Sequence, residues 1–234
     1  MSRYFSNLIR RGFENFLPPI LRDSFFFRLL LHAFFSRIAK ANYSFKWTAY
    51  ANSHQDFENF YGQDFSLKND SYLTRRTIDK IFEFVVGPKV VDVGCGRTAY
   101  LARELNNRTA LHVSAVDLIP PTHCLTDIEF VRQDLSKENF NIGLFDTVIC
   151  CHTLEHILDL QLAMRNLRKS YTKKLIIVVP LEREYLYNLN PHVHFFSYAF
   201  SFLNRIAPVP IEHKIFEIDG DLVYIESKGV SNSK

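Results

Sequence analysis

Residues 92–96 read Asp-Val-Gly-Cys-Gly and follow a short apolar run, at the point where a strand should give way to a turn. Two glycines at a strand end let the backbone approach a ligand that a Cβ would keep away. In a dinucleotide site that task falls to a GxGxxG loop, with the following helix N-terminus facing a pyrophosphate. Here Ala99 holds the place of the third glycine, and an acid, Asp92, stands just ahead of Gly94 and Gly96. A carboxylate at close range repels a diphosphate and attracts a cationic amine or sulfonium. The loop is therefore expected to hold a positively charged nucleoside. Asp117 ends the next apolar run, followed by Leu118, and is placed to accept both hydroxyls of a ribose. Asp134, followed by Leu135 in FVRQDL, ends a third and is placed to meet an adenine amino group.

A second group of chemical residues lies further on. His152, Glu155 and His156 form an HxxEH run, and His192 and His194 come from NPHVHFFS. Three readings compete. One histidine, foremost His152, is a general base or substrate contact. The HxxEH residues with His192 or His194 gather a divalent metal, since positions i, i+3 and i+4 share a helix face. Glu155 and His156 only brace the loop by hydrogen bonds. The first reading is carried forward for His152, with His192 as a second candidate, and the third for Glu155 and His156; no metal ligand is assigned. The vicinal Cys150–Cys151 pair reads as strand packing.

The elements that must position these residues alternate along the chain. TRRTIDKIFEFVV reads as a helix stopped by Gly87–Pro88, and KVVDV as a strand. TAYLARELNN is helical, LHVSAVDL is a second strand, DIEFVRQDL contains a third and LFDTVICC a fourth. HILDLQLAMRNLRKS is helical, KKLIIVVP is a fifth strand, and HKIFEIDGDLVYIES holds two alternating runs around Asp219–Gly220, a hairpin signal. Strands alternating with helices predict an α/β fold, a doubly wound, mostly parallel sheet covered on both faces. The expected boundaries are an N-terminal helical, aromatic-rich extension at 1–70, the main domain at 71–226 and a polar tail at 227–234. Within the extension a helix is expected after Pro18–Pro19, capped by Asp23 or Ser24. Its apolar face carries Phe27, Leu30, Leu31, Phe34, Phe35 and Ile38. It reads as a helix packed on the domain or acting as a lid; the sharper alternative is peripheral membrane contact through residues 20–40, with Arg22, Arg28, Arg37 and Lys40 near head groups.

Composition narrows the classes. The chain has 234 residues, 47% hydrophobic, enough for one sizeable core. A net charge of +3 is too mild to argue for nucleic acid. The four cysteines form no CxxC pair, so neither a zinc site nor a disulfide framework is indicated and a cytoplasmic location is expected. No secretory signal and no run long enough to span a bilayer is evident.

At these residues the chain resembles the class I S-adenosylmethionine-dependent methyltransferases. VVDVGCGRTAYLA is similar to their first motif, SAVDL to the second-strand motif with its ribose-binding acid, and FVRQDL to the third. FDTVICCHTLEHI resembles the fourth-strand motif of the small-molecule branch. Arg97–Thr98 departs from the family, which often has a third glycine there. Over residues 71–226 the resemblance implies a Rossmann-like, seven-stranded sheet with the last strand antiparallel, and S-adenosyl-L-methionine as cofactor. It implies that Asp92, Gly94 and Gly96 line the methionine and ribose portion, that Asp117 with Leu118 holds the ribose, and that Asp134 with Leu135 holds the adenine. Cys151 and His152 would face the methionine part and the substrate. The acceptor implied is a small molecule, or one linked to lipid or saccharide, methylated on oxygen. CHTLEH stands where amino-group methyltransferases of nucleic acids and proteins have NPPY or DPPY, so no nucleic-acid substrate is expected. Two rivals remain: an NAD-dependent oxidoreductase, which lacks a Tyr-x-x-x-Lys here, and a non-catalytic cofactor-binding or scaffold protein on the same fold.

Overall fold

A computed structural model of the chain describes residues 12, 16–30, 33, 59, 73–122, 124–184 and 191–228. Seven strands form one sheet: β1 Lys89–Val93, β2 His112–Asp117, β3 Glu129–Arg132, β4 Phe145–Cys151, β5 Tyr171–Pro180, β6 His213–Ile218 and β7 Asp221–Ser227. Their order is β3-β2-β1-β4-β5-β7-β6. All neighbours pair in parallel except β7, which runs antiparallel to both β5 and β6. The expected doubly wound sheet with an antiparallel last strand is therefore present. The order reverses between β1 and β4, which places a crevice at the carboxyl ends of the parallel strands.

Alternation along the strands sorts the core into two faces. Val91, Val148, Cys150, Ile177, Val179 and Tyr224 point to one. Val90, Ile149, Cys151, Ile176, Val178 and Val223 point to the other. Successive side chains on a strand face opposite ways, so a sheet buried on both sides needs near-continuous apolar runs, as in LIIVV. Helices α1 (Arg75–Phe84) and α2 (Tyr100–Arg108) cover the second face with Ile81, Leu101 and Leu105. Helices α3 (Leu160–Ser170) and α4 (Ala199–Ile206) cover the first with Met164, Leu167, Phe202 and Ile206. The sheet is thus a layer between two pairs of helices.

Local chemistry sets the element ends. Thr74 caps α1 by accepting from the Thr77 N–H. Asp219 and Gly220 both have positive φ, 51° and 94°, and join β6 to β7 as the two central residues of a tight hairpin. The helix expected over His156–Ser170 starts later. Leu154–His156 form a short 3-10 turn, and α3 begins at Leu160, because Asp159 caps it by accepting from the Leu162 N–H at 2.8 Å. Ser227 still pairs with Lys174 in the sheet, one residue past the expected domain boundary.

Of the N-terminal extension, a single turn at Pro19–Arg22 and helical residues 25–30 are described. Ser24 is the cap, its Oγ accepting from the Phe27 N–H at 3.2 Å. On the face expected to be buried, Phe27 is half-buried and Leu30 is exposed; Leu31, Phe34, Phe35 and Ile38, like Arg37 and Lys40, lie outside the described residues. No helix among the described residues is long and apolar enough to cross a membrane.

Candidate active site

The loop after β1 is held from both sides. The N–H groups of Gly94 and Cys95 both donate to the Val116 carbonyl, at 2.7 and 3.1 Å, tying the turn to the neighbouring strand. Gly94 has φ +77°, and a Cβ there would collide with the side chain of Thr153, whose hydroxyl donates to the Gly94 and Cys151 carbonyls. Gly96 has φ +70°, yet a Cβ there would meet nothing within 4 Å, so open space lies over this glycine. The place of the missing third glycine is taken by Ala99 in the left-handed region, at φ 44° and ψ 43°. It is buried, and its methyl group packs in the core under α2. Alanine thus adopts the turn that glycine would give, at a cost of roughly 1–2 kcal/mol. Arg97, one residue past Gly96, offers its carbonyl to Thr122, which closes the loop against the segment after β2.

Asp92 is 2% exposed and sits beneath the loop. Burial, aided by the charge of Asp117, pushes its carboxyl up to about 7, while the Ala102 N–H in the first turn of α2 works the other way. Ala99 has no side-chain oxygen to cap α2, so Asp92 meets one of the orphan donors, the Ala102 N–H, from below. Asp117 turns both carboxylate oxygens on the backbone: Gly96 N–H donates to Oδ2 at 2.8 Å and Ile119 N–H to Oδ1 at 3.0 Å. Burial raises its pKa, against the pull of these N–H groups. Two acids side by side disfavour one another's charge, and a cationic ligand over the open glycine would favour both.

Asp134 is held in a turn of its own. Its Oδ1 accepts from the Ser136 N–H at 2.9 Å and the Ser136 hydroxyl at 2.6 Å. The segment that follows is a pair of turns. Leu135 beside it is buried at 6%. The buried amide of Asn166, on α3, donates to the Leu135 and Lys137 carbonyls, both at 2.8 Å, and so clamps this turn to the first face of the sheet. Leu118 is half-buried, its carbonyl accepting from Arg132 Nε at 2.9 Å.

At the end of β4 the chain kinks at His152, which has φ 50°. Cys151 is buried, and burial with nearby acids holds its thiol far above the ordinary range, which makes it packing rather than nucleophile. His152 lies between two buried carboxylates: Nδ1 is 3.4 Å from Glu155 Oε1 and Nε2 is 3.2 Å from Asp221 Oδ1. Burial opposes its charge, but Asp221 and Glu155 outweigh it and hold the ring up to about 9, an imidazolium at neutral pH. For Glu155, burial likewise opposes charge, and His152, His156 and His192 keep its carboxyl below the usual range. Burial drives His156 the other way, down to about 4. The NPHVH segment is stitched to this rim through the Glu155 carbonyl, which accepts from Val193 and His194 N–H at 2.8 and 3.0 Å. His192 Nδ1 then meets Glu182 Oε2 at 2.9 Å, and its ring stands edge-on to His156 with centroids 4.8 Å apart. His194 is turned aside, its Nε2 on the Ile157 carbonyl at 2.8 Å.

Asp92, Gly94, Gly96 and Asp117 therefore form one cluster at the ends of β1 and β2. Asp134 and Leu135 lie at the end of β3 beside them, and Cys151, His152 and His192 form the far rim at β4 and β5. Sequence reasoning missed Thr153, Asn166, Glu182 and Asp221. Asp221 opens β7 directly after the hairpin turn, and no local signal ties it to His152. Glu182, just past Pro180, is an acid on an exposed-looking segment whose burial comes from the returning loop.

A family model described as "Methyltransferase domain" matches residues 54–204. No curated protein matches the sequence. The fold is shared with the crystal structure of the 1,6-didemethyltoxoflavin-N1-methyltransferase of Burkholderia thailandensis, bound to 1,6-didemethyltoxoflavin and S-adenosylhomocysteine. That match has 17% identity and a TM-score of 0.50, over 82% of this chain and 89% of that one. The N-methyltransferase NodS of Bradyrhizobium japonicum, in complex with S-adenosylhomocysteine, matches at 13% identity and a TM-score of 0.50, over 74% of this chain and 97% of that one. The [4+2]-cyclase SpnF matches at 16% identity and a TM-score of 0.46; this chain covers 58% of its length, and 61% of this chain is aligned.

Proposed function

The chain belongs to the methyltransferase domain family, and we propose that it takes its methyl group from S-adenosylmethionine and that its acceptor is a small molecule, free or linked to lipid or saccharide, methylated on oxygen. The observation that carries the cofactor side is the pairing of Gly96 N–H with Asp117 at 2.8 Å beneath open space, with the buried acid Asp92 alongside. The residues present fit a cationic nucleoside: two carboxylates disfavoured by burial gain from a positive ligand, and no Cβ obstructs Gly96. When bound, the cofactor supplies a methyl group already activated on a sulfonium, open to in-line displacement.

The chain's own residues then bind and orient. Asp92 with Gly94 and Gly96 holds the methionine and ribose portion, Asp117 with Leu118 the ribose, and Asp134 with Leu135 the adenine. Cys151 walls the methionine side with a neutral thiol. On the acceptor side, His152 acts by position: its charged ring fixes Glu155 and Asp221, and with them the rim. A ring protonated at neutral pH is a poor proton acceptor, which moves the base role expected for His152 away from it. His192 presents the contact to the acceptor, oriented by Glu182. Peripheral membrane contact through residues 20–40 remains the reading for a lipid-linked acceptor; exposed Phe25, Phe26, Leu29 and Leu30 support it.

Calorimetric titration of S-adenosylmethionine and S-adenosylhomocysteine into the full chain tests this, with Asp117→Ala alongside. Micromolar binding that the variant loses, followed by transfer of labelled methyl to a hydroxylated acceptor, is the expected result. A folded wild type that binds neither nucleoside overturns the site.

A further inference from the structure

Glu155 is fully buried, and among the described residues neither carboxylate oxygen receives a hydrogen bond. The nearest ring nitrogens are His152 Nδ1 at 3.4 Å and His156 Nε2 at 3.9 Å. A buried carboxylate without hydrogen bonds is costly, and a group left so is aimed at something. One carboxylate oxygen of Glu155 and one ring nitrogen each of His156 and His192 lie within 4.8 Å of one another. We propose that Glu155, His156 and His192 hold a divalent transition-metal ion, of the zinc type, at the acceptor rim.

Two imidazoles and a carboxylate are a donor set for zinc and its first-row neighbours; magnesium and calcium prefer all-oxygen sets. His192 already has an outer partner of the kind that metal-bound histidines carry: Glu182, 4% exposed, meets Nδ1 at 2.9 Å and fixes the ring. Finally, Glu155, Glu182 and Asp221 bring three buried carboxylates to one end of the sheet, surroundings that favour a cation. Metal–ligand bonds of roughly 2.0–2.2 Å bring neighbouring donors to about 3–3.5 Å, so the three side chains must close by about 1 Å. Glu155 and His156 sit on a short 3-10 turn and His192 on a loop, where small ring rotations suffice. Three protein ligands leave a position for water or for an acceptor oxygen. The inference deepens the acceptor-side reading above and rests on it for the ion's task, not for its binding.

The test is titration of Zn(II) into chelator-treated full-length protein, followed by calorimetry. One ion per chain is expected, at micromolar affinity or tighter. His156→Gln and His192→Gln should each abolish stoichiometric binding, Glu182→Gln should weaken it roughly 10- to 100-fold, and His213→Gln, on the exposed edge strand, should leave it unchanged. An anomalous-scattering map of Zn(II)-loaded wild-type crystals decides the matter without any variant: a peak among Glu155, His156 and His192 is expected. A folded wild type that takes up no ion, an ion that survives both histidine variants, or a peak elsewhere overturns the site. Titration of S-adenosylhomocysteine into the metal-free protein reads the cofactor site separately, so failure of one reading is distinguished from failure of the other.

Discussion

His152 Nε2 lies 3.2 Å from Asp221 Oδ1, joining the end of β4 to the start of β7. The same carboxylate accepts from the Thr77 hydroxyl of α1 at 3.2 Å, so one buried acid ties a helix and two strands to the rim of the site. Asp221→Asn keeps the shape and removes the charge. A buried ion pair broken on one side costs about 3–5 kcal/mol, because the remaining charge stays buried. The variant is expected to unfold at correspondingly lower denaturant with an unchanged slope; a midpoint equal to wild type would show that His152 is held some other way.

Asp92 makes stability depend on pH. Its folded pKa, about 7, is above the ordinary carboxylate value of 3.8, so the folded state favours the protonated form. That contribution is complete below the unfolded pKa and is lost as pH rises through about 7. Asp92→Asn should therefore be more stable than wild type above neutral pH, by about 4 kcal/mol at most, with the gap shrinking through mild acid and closing only at or below the ordinary carboxylate pKa. The same variant should bind S-adenosylmethionine more weakly, since the cation loses its partner. Thermal melts across pH, paired with calorimetry, check both signs; a variant no more stable than wild type in alkali defeats the argument.

The two loop glycines separate folding from binding. Gly94→Ala meets the Thr153 side chain as well as a positive φ, and should lower the melting temperature markedly. Gly96→Ala has room in the ligand-free protein and carries only the backbone strain, roughly 1–2 kcal/mol. It should fold and yet lose most of its affinity for S-adenosylhomocysteine. Equal losses of binding per unit of stability in both variants would remove the distinction.

Asn166→Ala removes the clamp on the turn after β3. Two carbonyls, of Leu135 and Lys137, lose a buried donor. The expected cost is about 2–3 kcal/mol. Because that turn carries Asp134, affinity for the adenosine portion should fall as well. Comparing S-adenosylhomocysteine with free methionine as ligands tests this: the nucleoside should lose affinity and the amino acid should not.

The sequence by itself determined the alternation of elements, the strand-end acids Asp92, Asp117 and Asp134, and the hairpin at Asp219–Gly220. Each of these is written in local spacing: period-two or continuous apolar runs, glycine at positive φ, a carboxylate where a strand stops. It placed the start of α3 too early, at His156. The apolar run there continues past the true cap, Asp159, and periodicity does not reveal which acid takes the Leu162 N–H. Sequence could name His152 and its neighbours as reactive but not assign their protonation. For His152 that was decided by tertiary structure alone, because the partner that sets its charge, Asp221, comes from another strand, β7. Burial, which turns Asp92 from an ordinary carboxylate into one poised near neutrality, likewise exists only once both faces of the sheet are covered. Local pattern fixes where a group stands on its element; its charge depends on what the fold packs against it.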